Sequence, residues 1–283
     1  MKLQLENQNY NKNILNEQEG NNIIRSYFQK KEPFFVSKAA NIACEIAAHT
    51  ILLKDMVPNR LKHQALENMG VYPNDDKNLI TFAENYCQSI TNVDIMGVWV
   101  VPYYDWLVNT YCPKAHYLRL WGLEPYHFNN PWSEFLENKK VLVIHPFEQS
   151  IINNYRNRNK IFPDSKVLPE FSLKTIKAEQ NLGNVNTNFF DTVERTKNKI
   201  TQIDFDVAII GCGAAGLPLG SFIKSIGKTA IHLGGATQVL FGIIGKRWED
   251  YPQFKNIINE YWTRPLPEET PFNYLKIENG CYW

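Results

Sequence analysis

After a polar opening, the chain alternates between two kinds of apolar pattern. Unbroken apolar runs occur at Phe34-Phe35-Val36, Val141-Leu142-Val143-Ile144 and Val207-Ala208-Ile209-Ile210, and Thr229 to Leu233 reads as a further short strand. Short runs bounded by turn residues predict strands buried on both faces, as in a parallel sheet. Between them apolar residues return at helical spacing. Ile42, Ile46, His49 and Leu53 mark a helix over 41–54, and Asn59 opens another running to Asn68. Leu79, Phe82, Ala83, Tyr86 and Ile90 share one face of a third, capped by Asp75 or Asp76. Beyond it the pattern predicts a strand over 93–101, a helix over 104–110, a strand near 117–120 and a short helix at 131–136. A helix through Tyr155 and Arg158, an edge strand at Val167-Leu168-Pro169 and a helix over 189–203 follow. Pro169 places that strand at an edge, because proline cannot donate to a central ladder.

Strands alternating with helices in this way predict an α/β fold with a doubly wound, mostly parallel, Rossmann-like sheet. Residues 1–32 read as a polar N-terminal arm and 33–283 as one domain, with the polar loop at 181–188 the one candidate boundary. The net charge of +1 gives no reason to expect a nucleic-acid partner. No apolar run approaches the roughly 18 residues of a membrane span, and the first 20 residues lack the apolar core of a secretory signal. Five scattered cysteines without a C-x-x-C pair predict free thiols, a cytoplasmic setting and no zinc site.

The candidate chemistry sits at the ends of the apolar runs. Gly211, Gly213 and Gly216 form G-x-G-x-x-G directly after Val207–Ile210. Such a turn brings backbone N–H groups and a helix N-terminus against a phosphate. The run ending at Leu233 leads into Gly234-Gly235 and then Ala236-Thr237-Gln238. Two glycine turns are therefore expected at the carboxyl ends of neighbouring parallel strands, where open α/β sheets bind ligands. A dinucleotide enzyme would carry Asp or Glu ~20 residues past the first glycines to hold the ribose. Here the position reads Ile231-His232-Leu233-Gly234-Gly235, and only 72 residues follow Gly211, so neither NAD nor FAD is expected. Lys246-Arg247-Trp248 offers two cations and a ring for a phosphate and a base, or a solvated basic turn. His145, at the end of Val141–Ile144, is a structural histidine, a hydrogen-bond donor to a diphosphate, or a general base, with Arg158 beyond it and Lys174 and Lys177 further on. Glu45 lies early in the first helix, where it favours the helix dipole or else binds a sugar hydroxyl or metal or takes a proton.

These motifs, with the segments NMGVYP at 68–73, VLVIHPFEQSI at 141–151, LPEFSLKTIKAEQ at 168–180, the stretch 204–248 and ENGCYW at 278–283, carry a family likeness. The chain resembles the GT-D fold glycosyltransferases, and in particular the GT-D-like branch among bacterial polysaccharide-assembly proteins. The resemblance implies a Rossmann-like transferase with a UDP- or GDP-linked sugar donor and a glycan acceptor. It also implies a divalent cation, Mn²⁺ or Mg²⁺, held by an Asp-x-Glu motif after the first strand. The matching residues are Ala43-Cys44-Glu45, so Glu45 takes the place of the Glu and Ala43 replaces the Asp.

The sequence thus leads to a glycosyltransferase of polysaccharide or glycan biosynthesis. Its expected catalytic residues are Glu45 and His145, with Glu45 also the expected metal ligand. Its expected donor-binding residues are Gly211, Gly213, Gly216, His232, Gly234, Gly235, Gln238, Arg158, Lys246 and Arg247. A homo-oligomer is compatible with this reading. Two alternatives stay open: a non-catalytic nucleotide- or sugar-binding member of a glycan-assembly complex, and an oxidoreductase or methyltransferase using the same glycine turn.

Overall fold

The unbroken apolar runs become the middle of a sheet. The computed structural model describes residues 9–163, 165–249 and 251–283. Its strands are β1 (Phe35–Lys38), β2 (Ile95–Val98), β3 (His116–Arg119), β4 (Lys140–His145), β5 (Ser172–Lys177), β6 (Val207–Ile210) and β7 (Thr229–His232). They form one seven-stranded sheet in the order β3-β2-β1-β7-β6-β4-β5, with every pair parallel. All residues of β2, β6 and β7 are buried, as expected of strands covered on both faces.

The helices are α1 (Glu17–Lys30), α2 (Asn41–Ala47), α3 (Asn59–Met69), α4 (Asp76–Ile90), α5 (Tyr104–Tyr111), α6 (Glu148–Tyr155), α7 (Arg158–Ile161), α8 (Phe189–Thr201), α9 (Gly216–Ser225), α10 (Ala236–Leu240) and α11 (Lys246–Glu249). They divide between two cores. Ala43 and Ile46 of α2, Leu79 and Phe82 of α4, Val193 of α8 and Leu217 of α9 pack on one face. Ile24 and Phe28 of α1, Ile151 of α6 and Val239 and Leu240 of α10 pack on the other. The chain thus leaves β1 towards one face and leaves its neighbour β7 towards the opposite face. Where adjacent strands part in this way, a crevice opens at their carboxyl ends.

Four elements differ from the sequence reading: the helix expected over 41–54 is α-helical only to Ala47 and continues as a π-helix over Ala48–Leu52, and three others depart further. Residues 17–30 of the expected polar arm form α1, while residues 1–8 lie outside those described. Asn16 and Glu19 close a reciprocal capping box, and Gly20, Asn21, Ile24 and Phe28 form the buried face that seats the helix. Phe28 stacks on Trp132 at 6.2 Å. The edge strand is not Val167-Leu168-Pro169 but Ser172–Lys177. Val167 gives its carbonyl to the Ser133 hydroxyl at 2.6 Å instead of to a ladder. The helix through Tyr155 and Arg158 is broken into α6 and α7. Among the described residues no helix is long and apolar enough to cross a membrane.

Helix α9 lies close to the sheet because it presents glycine to it. A Cβ at Gly220 would meet the Phe35 ring at 2.2 Å. Gly220→Ala should therefore cost about 1–3 kcal/mol through overpacking. In a double-mutant cycle with Phe35→Leu, urea unfolding should give a coupling of at least about 0.5 kcal/mol, since the two sites are in contact. Additive losses would mean that the ring does not limit the approach.

Candidate functional site

The carboxyl edge of β1, β7, β6 and β4 gathers most of the residues singled out from the sequence. Gly211 N–H continues the ladder to Ile144 O at 2.9 Å. A side chain there would strike the His145 ring at 2.5 Å and Gly234 O and Thr237 Oγ1 at 2.7 Å. A side chain at Gly216 would strike His232 Nε2 at 2.3 Å. The first and third glycines are thus sockets for histidine rings. Gly213 differs, with φ +59° and nothing within 4 Å of its missing Cβ. The N–H groups of Cys212 and Gly213 make no hydrogen bond among the described residues. This is the point of the turn where backbone can approach an anion.

Both histidines are buried and neutral. Burial pushes His145 down to about 3, and burial together with the nearby Lys38 charge pushes His232 down to about 3. His145 Nδ1 accepts from Phe147 N–H at 3.0 Å, which leaves the ring proton on Nε2. In this geometry His145 offers an N–H donor rather than a proton acceptor. His232 Nδ1 lies 3.0 Å from Ser37 Oγ, tying the end of β7 to β1.

The sequence reading missed Lys38, the last residue of β1. Its side chain lies beside Gly234, whose φ is +62°: a Cβ there would meet Lys38 Nζ at 3.2 Å. The ammonium sits 5.6 Å from the centre of the Trp99 ring and has no ion pair among the described residues. Burial first, and then the Arg247 charge, lower its pKa, while Glu124 and Glu278 work the other way. Lys38 is thus a partly buried cation in the crevice between β1 and β7 with no carboxylate partner among the described residues. The signal was in the sequence: a lone Lys ends the run FFVSK before two alanines. Its meaning depended on β7 becoming the neighbour of β1.

Residues 266–283 close the other side of the edge. Glu269 is buried and accepts from Gln149 N–H at 2.7 Å, Ser150 N–H at 3.2 Å and the Ser150 hydroxyl, so its carboxylate caps α6. Trp283 Nε1 donates to Glu269 O at 3.2 Å, and the Trp283 ring meets Phe147 edge-on at 5.8 Å. Arg247 pairs with Glu278, donates to Tyr282 Oη at 3.2 Å and lies over the Tyr282 ring at 4.6 Å. Burial works against the Arg247 charge, but Tyr282 and Glu278 outweigh it and hold the guanidinium charged. Gln238 donates to Tyr282 O at 3.0 Å, and its Oε1 is buried without a partner among the described residues. Arg247 and Gln238 thus hold the tail at this edge, and the Tyr282 ring lies against Gly235.

Lys246 is exposed at the start of α11. Arg158 is not brought to the edge. It pairs with Glu170 at 2.8 Å, just before β5 begins, and so stands at the amino end of the sheet. There it lies over the Tyr155 ring at 5.2 Å. Glu45 sits in α2 with an oxygen 2.6 Å from Arg60 Nη2, while Ala43 is fully buried in the core. Among the described residues no three His, Cys, Asp or Glu side chains stand together that could hold a metal ion. A lone, already paired carboxylate does not fit the donor set of Mn²⁺ or Mg²⁺, which ordinarily rests on one or two free carboxylates and substrate phosphates.

Residues 127–240 match the family model of the GT-D fold-like domain. The matched stretch spans β4 to β7 and both glycine turns, a glycosyltransferase-type fold. Strands β1 to β3, with Lys38 and Glu45, lie outside it. A search of the curated proteins and of the solved structures finds no match.

The two neutral histidines give stability a defined pH dependence. Unfolded imidazoles titrate near 6.5, whereas in the fold both stay neutral down to about 3. The unfolded state therefore binds more protons between these values. Stability is present above 6.5 and falls as the pH drops, by up to about 1.4 kcal/mol per pH unit for each histidine. In urea titrations between about pH 6.5 and 4.5, His145→Gln should reduce the slope by close to one proton relative to the parent. An unchanged slope would mean that His145 titrates normally.

Proposed function

We propose, from the GT-D fold-like domain carried by residues 127–240, that the crevice between β1 and β7 binds the diphosphate of a nucleotide-sugar donor and that the chain is a glycosyltransferase. The observation that carries this reading is the partly buried, unpaired ammonium of Lys38 beside Gly234, on the edge that also carries the open turn at Gly213. In glycosyl transfer the acceptor hydroxyl oxygen bonds to the anomeric carbon as the bond from that carbon to the diphosphate oxygen breaks, and negative charge develops on the departing nucleotide diphosphate. Charge of this kind is stabilised by fixed donors in a partly dry site. Lys38 supplies the cation, Cys212 and Gly213 supply N–H groups, and His145 Nε2–H is a further donor. Glu45, held by Arg60, is the carboxylate proposed to take the proton of the acceptor hydroxyl. No step is drawn through a metal ion.

A second reading, a non-catalytic binder of nucleotide sugars, is favoured by one observation. The only acid of the Ala43-Cys44-Glu45 match is tied to a guanidinium, and its companion position is buried as alanine.

Calorimetry and thermal shift with UDP- and GDP-sugars, with and without Mn²⁺, separate these readings. Binding is expected, and Lys38→Met should weaken it at least about tenfold, the worth of a hydrogen bond to a charged group. Donor hydrolysis or transfer that Glu45→Gln abolishes while binding persists marks an enzyme. Binding without turnover, unchanged in Glu45→Gln, marks the binder. Stabilisation by NAD, FAD or S-adenosylmethionine but by no sugar nucleotide would sink both.

A further inference from the structure

The two edges of the sheet are treated differently. At the β3 edge the chain covers itself: Leu15 N–H donates to Tyr117 O at 2.8 Å, and Arg119 N–H donates to Leu15 O at 3.0 Å. At the other edge β5 pairs only with β4 among the described residues. Ser172 N–H donates to Lys139 O at 2.8 Å and Ala178 N–H to His145 O at 3.2 Å, so the even-numbered residues of β5 face β4. By the alternation of a strand, Leu173, Thr175 and Lys177 turn their N–H and C=O groups outward, unpaired among the described residues.

Grooves flank this open edge on both faces. One, of about 420 Å³, is lined by Ile152, Tyr155 and Arg156 with Leu173, Lys174 and Thr175. The other, of about 360 Å³, is lined by Lys140, Gln202, Ile203 and Asp204 with Ser172 and Lys174. A strand added beside β5 would have a pocket for its alternate side chains on each side. The charge around the edge is one-sided. The nearby carboxylates Glu170, Glu179 and Asp204 are committed to Arg158, Arg195 and Lys140. Arg156, Lys174 and Lys177 have no ion pair among the described residues. Two copies of β5 placed edge to edge would set these cations against one another.

We propose that the β5 edge receives an extended acidic segment of a partner protein as an eighth strand. The outward backbone groups of Leu173, Thr175 and Lys177 supply the ladder, and Ile152 and Leu173 seat its apolar side chains. Arg156, Lys174 and Lys177 select acidic residues. The same lysines discourage neutral strands and a second copy of the chain. The proposal does not rest on the reading of the crevice between β1 and β7.

The test uses the full chain and a short acetylated peptide alternating Glu and Val, with a Lys/Val peptide as its counterpart. Fluorescence anisotropy should show the acidic peptide binding and the basic one failing. Hydrogen exchange at the Leu173, Thr175 and Lys177 amides should slow on binding. Thr175→Pro removes an outward N–H at a position where an edge strand tolerates proline. It should weaken binding about tenfold or more with little change in melting temperature. Lys174→Glu/Lys177→Glu should reverse the preference towards the basic peptide. Failure of the acidic peptide to bind the parent chain, or equal binding by parent and both variants, overturns the proposal. So does a dimer of the parent chain that Thr175→Pro dissolves and the acidic peptide does not compete away, because the occupant would then be a second copy.

Discussion

Rings occupy the places that side chains would fill at the carboxyl edge of this sheet and on the face behind it. His145 lies over Gly211, His232 over Gly216, Phe35 over Gly220 and Tyr282 against Gly235. Each approach is too close for a Cβ, so the glycines decide how near α9 and the tail come to β1, β6 and β7. This constraint divides the work within G-x-G-x-x-G. Gly211 and Gly216 are taken up by packing, while Gly213 stands at positive φ in open space among the described residues. The motif reads as a phosphate turn, yet two of its three glycines are explained by the histidines they accommodate.

Electrostatics at the edge follow from the same burial. Two imidazoles are held neutral and one lysine is partly desolvated without a carboxylate partner, while the guanidinium of Arg247 is satisfied within the chain by Glu278 and Tyr282. Of the cations named from sequence, Arg247 is engaged by the tail, Lys246 is solvated, and Arg158 stands at the opposite end of the sheet. The cation best placed for an anion is Lys38. It is placed by the parallel pairing of β1 with β7, strands nearly two hundred residues apart in the chain.

Much of the architecture was legible. Continuous apolar runs gave β1, β4 and β6, helical spacing gave α2 and α4, and the glycine turns marked α9 and the end of β7. The edge strand β5 was misplaced, since SLKTIK is half exposed and carries no continuous run, whereas the truly apolar Val167-Leu168 is buried without a ladder. Helix α1 was missed because only two of its four buried residues, Ile24 and Phe28, are large and apolar, the others being Gly20 and Asn21.

What the sequence determined by itself was local. It set where strands and helices form, where glycines permit a turn, and the absence of a ribose-binding acid after β7. Residues 127–240, which match the GT-D fold-like domain, contain the turns that could be read in this way. The tertiary structure decided which of those turns stays open, which charges are already spent, and that Lys38 faces Gly234. Those outcomes depend on strand order and on contacts between distant segments, and no local pattern of side chains encodes which strand becomes the neighbour of which.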